Sequence, residues 1–199
     1  MLRAFLIAAA LSCAVPSGIG PALAQEPGQD APDRPRKPLS AMSVEEVLDR
    51  LAASPTPQIG AQIEAEALRR FHESGSATID LLLAWATTAM QDERYPVALD
   101  VLDQIVLLAP GFAEGWNKRA TVYFLVKDYG KSIADIRHTL ALQPRHFGAL
   151  AGLGLILRDI GQPQKALEAF QAALAVNPHL ENAKKVVKEL EEELAGDTI

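Results

Sequence analysis

The 199-residue sequence predicts an all-α fold, a solenoid of stacked antiparallel helix pairs closed by a C-terminal helix. Two observations carry that expectation. Pro110, Pro144 and Pro178 recur at a fixed interval of 34 residues, and each closes a similar apolar run, at 105–109, 139–143 and 173–177. Between these prolines the apolar residues follow helical spacing, interrupted once per interval by a polar turn. A period of this length with helical patterning marks a repeat array. Each unit buries its faces against its neighbours rather than in a core of its own.

Residues 1–24 read as an export leader. Arg3 supplies a basic start, Ala4 to Val15 is a nearly unbroken run of apolar and small residues, and Ala22-Leu23-Ala24 offers small residues for cleavage before Gln25. The run is too short for a membrane-spanning helix of about 20 residues. The expectation is cleavage after Ala24 and release into the periplasm, with no membrane insertion afterwards. Cys13, the only cysteine, lies in this leader, so cleavage would leave no disulfide, thiolate nucleophile or cysteine metal ligand. An exported chain without disulfides fits a bacterial periplasm. The alternative is a lipoprotein anchored through Cys13. It is disfavoured because Leu11 stands one place too late for a lipidation signal, with Ala10 at the required position.

The net charge is −6, and removing the leader with its single Arg3 leaves 18 basic against 25 acidic residues, or −7. A nucleic-acid binder needs a basic face that releases counterions, and this balance argues against one. The acidic surface otherwise speaks for solubility.

Residues 25–42 form a linker. Pro27, Pro32, Pro35 and Pro38 stand among charged and small residues that offer little to bury. Residues 43–78 then form a degenerate helix pair. Ser43 and Glu46 have capping-box spacing, and Val44, Val47, Leu48 and Leu51 make a short apolar stripe that Pro55 and Pro57 break. A second helix is expected from about 58 to 73, with Ile59, Ile63, Ala67, Leu68 and Phe71 on one side and Gly75-Ser76 beyond its end. This pair reads as a worn copy of the units that follow.

The clear units are 79–112, 113–146 and 147–180, each with two helices around turns at 92–95, 127–130 and 160–163. Small residues at Ala86, Ala120 and Gly154 on the first helices, and at Ala98, Ser132 and Ala166 on the second, allow close approach within a unit. Gly152 is expected to serve close packing in the same way. Residues 181–199 form the capping helix and tail. Leu180, Ala183, Val187, Leu190 and Leu194 face the stack, and Lys184, Lys185, Lys188 and Glu189 face away. Pairs such as Lys185 with Glu189 add about 0.2–0.5 kcal/mol each.

These units resemble the tetratricopeptide repeat family. Trp116, Ala120, Tyr123, Ser132, Ile136 and Pro144 fall at the family's fourth, eighth, eleventh, twentieth, twenty-fourth and thirty-second places. Leu150, Leu153, Gly154, Ala166, Phe170 and Pro178 repeat the pattern in the third unit, and Leu82, Ala86, Ala98, Leu102 and Pro110 in the first. The resemblance implies a right-handed solenoid of the exported bacterial type. One departure is Arg119, at the seventh place, where the family has Leu. Its expected role is structural, snorkelling to solvent or paired with Asp100 or Asp103 of the preceding unit.

The resemblance also implies a concave groove lined by the first helices. By position it comprises Asp80, Leu83, Thr87 and Met90, then Glu114, Asn117, Thr121 and Phe124, then Gly148, Ala151, Leu155 and Arg158, with Lys118 beside Asn117. This surface is mostly small and apolar and suits a partner helix or strand with apolar anchors. Asn117 and Lys118 alone do not complete the Lys-Asn-Arg clamp by which some relatives hold a partner's terminal carboxylates.

No catalytic, metal or cofactor site is expected. His72, His138, His146 and His179 lack metal-ligand spacing, and His146 and His179 fall at inter-unit turns, where solvation is the ordinary outcome. Carboxylates are expected on exposed faces. The function this implies is a non-catalytic periplasmic scaffold binding a protein or peptide. The alternative is a self-associating cell-envelope subunit, hence a homo-oligomer, or a lipid-anchored assembly factor.

Overall fold

A computed structural model describes residues 37–196. The leader at 1–24 and the linker up to residue 36 lie outside the described residues. A 3-10 turn at Leu39–Ala41 leads into α1, Val44–Ala52, and α2, Pro57–His72. Three pairs follow: α3, Ala77–Gln91, with α4, Tyr95–Leu108; α5, Ala113–Leu125, with α6, Tyr129–Leu142; α7, Phe147–Asp159, with α8, Pro163–Val176. The last described helix is α9, Glu181–Gly196, packed on α8.

The 34-residue period is visible in the backbone. Glu93, Lys127 and Gly161 all have φ near +60°, at 57°, 64° and 70°. The following residues, Arg94, Asp128 and Gln162, donate their N–H to Ala89, Tyr123 and Leu157 across the end of the first helix. Each unit thus reverses direction through the same left-handed closure. Ala86 and Ala98, Ala120 and Ser132, and Gly154 and Ala166 are all buried where the paired helices approach. The Ser132 hydroxyl is satisfied by donating to the Ala120 carbonyl at 2.7 Å.

Successive cores interlock. Ile79, Leu83, Leu102 and Ile105 of the first unit enclose Val122 of α5, and Ala120 and Ile136 of the second enclose Ala149 and Ile156 of α7. Leu167 and Phe170 of α8 receive Ala183 and Leu190 of α9. The charged face of α9 points outward, with Lys185–Glu189 and Lys188–Glu192 each at 3.8 Å.

The N-terminal pair does not stack as a worn first repeat. The Ser43 capping box is formed, but Val47, Leu48, Leu51, Ile63, Ala67 and Phe71 share one core with Phe147 and Val176 of the third unit. The hairpin therefore passes the N-terminal ends of α5 and α7 and the C-terminal end of α8. The redirecting element is the α2–α3 connection. It lacks the proline-bearing inter-unit turn and instead carries Gly75 at φ 81°, with Ser74 bonded to the Asp80 carboxylate.

Candidate partner-binding groove

The first helices α3, α5 and α7 neighbour one another in succession, but the pocket they form is centred on the last two. Asn117, Thr121 and Phe124 of α5 face Ala151 and Leu155 of α7 across a pocket of about 320 Å³, floored by Ala120, Ser132, Ile136 and Ile156. Its lining is almost wholly apolar, because Ser132 is already bonded to Ala120 and the Thr121 hydroxyl donates to the Asn117 carbonyl at 2.9 Å. Phe124 is held against Tyr129 at 5.9 Å between ring centroids, and the Tyr129 hydroxyl donates to Asp159 at 2.6 Å. A second pocket of about 260 Å³ shares Ala151 and Leu155 and continues to Asn182, Ala183 and Val186 of α9. The α9 stripe was expected only to cap the stack. Val186, outside that expected stripe, is half-buried and lines the groove together with Ala183.

The other expected groove residues lie elsewhere. Leu83 is 3% exposed and belongs to the core of the first unit, on the side of α3 that meets α4 and α5. Met90 packs on that same core, and the Thr87 hydroxyl donates back to the Leu83 carbonyl. Lys118 turns to Glu114 at 3.3 Å, and Arg158 stands 3.7 Å from Glu189 on α9.

Glu114, expected to face the groove, is buried and organises the start of α5. Its Oε2 accepts from His146 Nε2 at 2.9 Å and Asn117 Nδ2 at 3.0 Å. Its Oε1 faces Lys118 and His72, the latter at 3.4 Å. His146 is buried rather than solvated. Its Nδ1 accepts the Ala149 N–H at 3.1 Å, so the Nε2 carries the proton given to Glu114. Phe71 of α2 stacks on the His146 ring at 4.4 Å. Burial pushes the Glu114 carboxyl upward, but the His146 hydrogen bond and the nearby Lys118 charge outweigh it and hold the group below its ordinary value. The cluster thus ties Asn117, at the pocket rim, to the N-terminal hairpin.

His179 is also engaged, with Nε2 at 2.8 Å from Ser54 Oγ. Arg119 pairs with Asp103 at 2.8 Å as its position suggested, but it is held chiefly by Asp135 in a bidentate pair at 2.7 and 2.8 Å. Among the described residues no group of three or more His, Cys, Asp or Glu is placed to hold a metal ion, and no helix is long and apolar enough to cross a membrane. What the pocket can do chemically is desolvate apolar side chains beside one carboxamide.

Comparison with known proteins gives a consistent assignment. The family description "Tetratricopeptide repeat" matches residues 147–180. A TPR repeat-containing protein of Rhizobium etli is 40% identical over 154 residues, covering 77% of this chain and 76% of that protein. The Sgt2 TPR domain of Aspergillus fumigatus superposes with a TM-score of 0.58 at 21% identity, covering 62% of this chain and 83% of that one. The first TPR of Spaghetti (RPAP3), bound to the HSP90 peptide SRMEEVD, gives 0.57 at 18%, covering 59% and 93%. At these identities the two structures speak for the fold alone.

Proposed function

The chain belongs to the tetratricopeptide repeat family, and from that premise we propose that it is a non-catalytic scaffold of the bacterial periplasm. Its task on this reading is to hold an apolar segment of a partner protein between α5, α7 and α9. The observation that carries the reading is the pair of apolar pockets sharing Ala151 and Leu155. Two adjoining pockets accept two apolar side chains of one extended or helical segment, with Asn117 at the rim for its backbone. The periplasmic location rests on the leader composition.

Family members mediate protein–protein interaction, and one structural relative is bound to an HSP90 peptide. This chain would not favour an acidic peptide, since Lys118 is committed to Glu114 and Arg158 faces Glu189. Selection of displayed random peptides on the purified chain tests the proposal. Apolar sequences should be enriched, and Phe124→Ala or Leu155→Ala should weaken their binding by about 2 kcal/mol each. Enrichment of acidic carboxyl-terminal peptides, or binding untouched by both substitutions, would remove the reading.

A further inference from the structure

The stack has one closed end and one open end, and the open end carries a tryptophan. Trp85 on α3 is 57% exposed, and Leu81 beside it is 51% exposed. Their places in the repeat explain why this is unusual. One period on, Leu81, Trp85 and Thr88 become Gly115, Arg119 and Val122; two periods on, Ala149, Leu153 and Ile156. In those units the same stripe is pressed against the preceding second helix. A Cβ on Gly115 would stand 2.7 Å from Ile105 of α4. Arg119 bonds Asp103 of α4, and Val122 is fully buried in the core of the first unit. In the third unit Leu153 lies beside Ile133 and Leu140 of α6, and Ile156 is fully buried.

The register also places α4 on this surface. Arg119 is bonded to Asp135, and one period earlier these positions are Trp85 and Val101. Val97, Val101, Gln104 and Leu108 follow i, i+4, i+7 and i+11 spacing along one side of α4, and Val97 and Leu108 are exposed. The hairpin that precedes α3 in sequence is committed to the third unit, so among the described residues this side of α3 is left uncovered.

We propose that this face is a homodimer interface, with two copies meeting head to head through α3 and α4. It is the face that the second and third units each press against the unit before them. Within α3 the only charged residue is Asp80, which is engaged by Ser74, so the α3 part of the surface is neutral and can pack on its own copy without opposing charges. The opposite end of the stack presents Lys184, Lys185, Lys188 and Glu189 of α9, which offers no apolar counterpart for head-to-tail stacking. Self-matching of one patch gives a closed two-fold dimer rather than a filament. This surface is separate from the groove, so the inference stands independently of the peptide-binding proposal.

Sedimentation and light scattering on the purified chain, over a concentration series, test it. The expected result is a monomer–dimer equilibrium that Trp85→Glu weakens by about 30-fold or more, the effect of losing a hot-spot tryptophan. The helical circular dichroism should be unchanged because the side chain is exposed, and Phe124→Ala should leave the dimer intact. A monomer at every concentration would overturn the proposal. A dimer indifferent to Trp85→Glu, or assemblies that lengthen with concentration, would overturn it as well.

Discussion

His146 donates from Nε2 to the Glu114 carboxylate at 2.9 Å, and both side chains are 3% exposed. The bond joins the turn before α7 to the first residues of α5, and Phe71 stacked on the imidazole extends it to α2. One buried carboxylate therefore links two repeats and the N-terminal hairpin.

The link makes stability depend on acid. The folded state holds the Glu114 pKa below its ordinary value, whereas in the unfolded chain it returns to about 4.3. The unfolded state then takes up a proton at higher pH than the folded one. The stabilisation is fully present above about pH 4.3 and is lost as pH falls through the folded value. Glu114→Gln should cost about 1–3 kcal/mol at neutral pH and flatten the acid limb of the stability curve. Urea unfolding of both proteins across that range checks this, and parallel curves would contradict it.

Docking of the hairpin should be separable from the stability of the stack. A Cβ at Gly60 would lie 2.2 Å from Cδ2 of His179, whose ring is fixed by Ser54. Gly60→Ala should raise hydrogen exchange across α1 and α2 while α5 to α8 stay protected. Adding His179→Ala should restore protection. If the double variant exchanges as fast as the single, the clash is not what releases the hairpin.

How far the sequence carries depends on the range of each contact. Ser43 with Glu46, the 34-residue turns and the pairing of Ala86 with Ala98 are local or periodic, and all of them leave a pattern that can be read. The pocket residues Asn117, Thr121, Phe124, Ala151 and Leu155 were legible for the same reason, since family places fix their helical faces. The hairpin was not. Leu48 and Leu51 look the same in sequence whether they meet α3 or, as they do, Phe147 and Val176 about a hundred positions away. His146 was misjudged for that reason too, because its burial is made by Phe71 and Glu114, far from it in the chain. Leu83 failed differently. At the place that Asn117 and Ala151 hold in the next units, its apolar side chain joins the first unit's core with Leu102, Ile105 and Val122 instead of lining a pocket.

Arg119 illustrates a polar replacement for a repeat's apolar contact. The guanidinium is held by the buried Asp135 and the exposed Asp103, and lies 4.9 Å from the Trp116 ring. Arg119→Leu restores the family residue but strands Asp135, and should cost about 3–5 kcal/mol. Arg119→Leu with Asp135→Leu should recover most of that, since an apolar pair can replace a buried ion pair at little loss. A double-mutant cycle by chemical denaturation measures the coupling. Additive losses would mean the pair contributes nothing as a pair.

Two glycines of α7 separate space from propensity. At Gly154 a Cβ would stand 2.7 Å from the Phe170 ring, which is itself buried between α7 and α9. That ring cannot yield without disturbing Leu167 and Leu190, so Gly154→Ala should destabilise by about 1–3 kcal/mol. Gly152, expected from sequence to pack as tightly, meets nothing nearer than Ile136 Cδ1 at 4.0 Å. With no clash to oppose it, Gly152→Ala should gain about 0.5–1 kcal/mol from helix propensity. Because Gly152 lines the pocket between α5 and α7, the added methyl should also shrink that pocket and weaken peptide binding. Thermal unfolding of the two variants should therefore move in opposite directions. If both destabilise, Gly152 is a packing position and the groove between α5 and α7 leaves no room for a methyl.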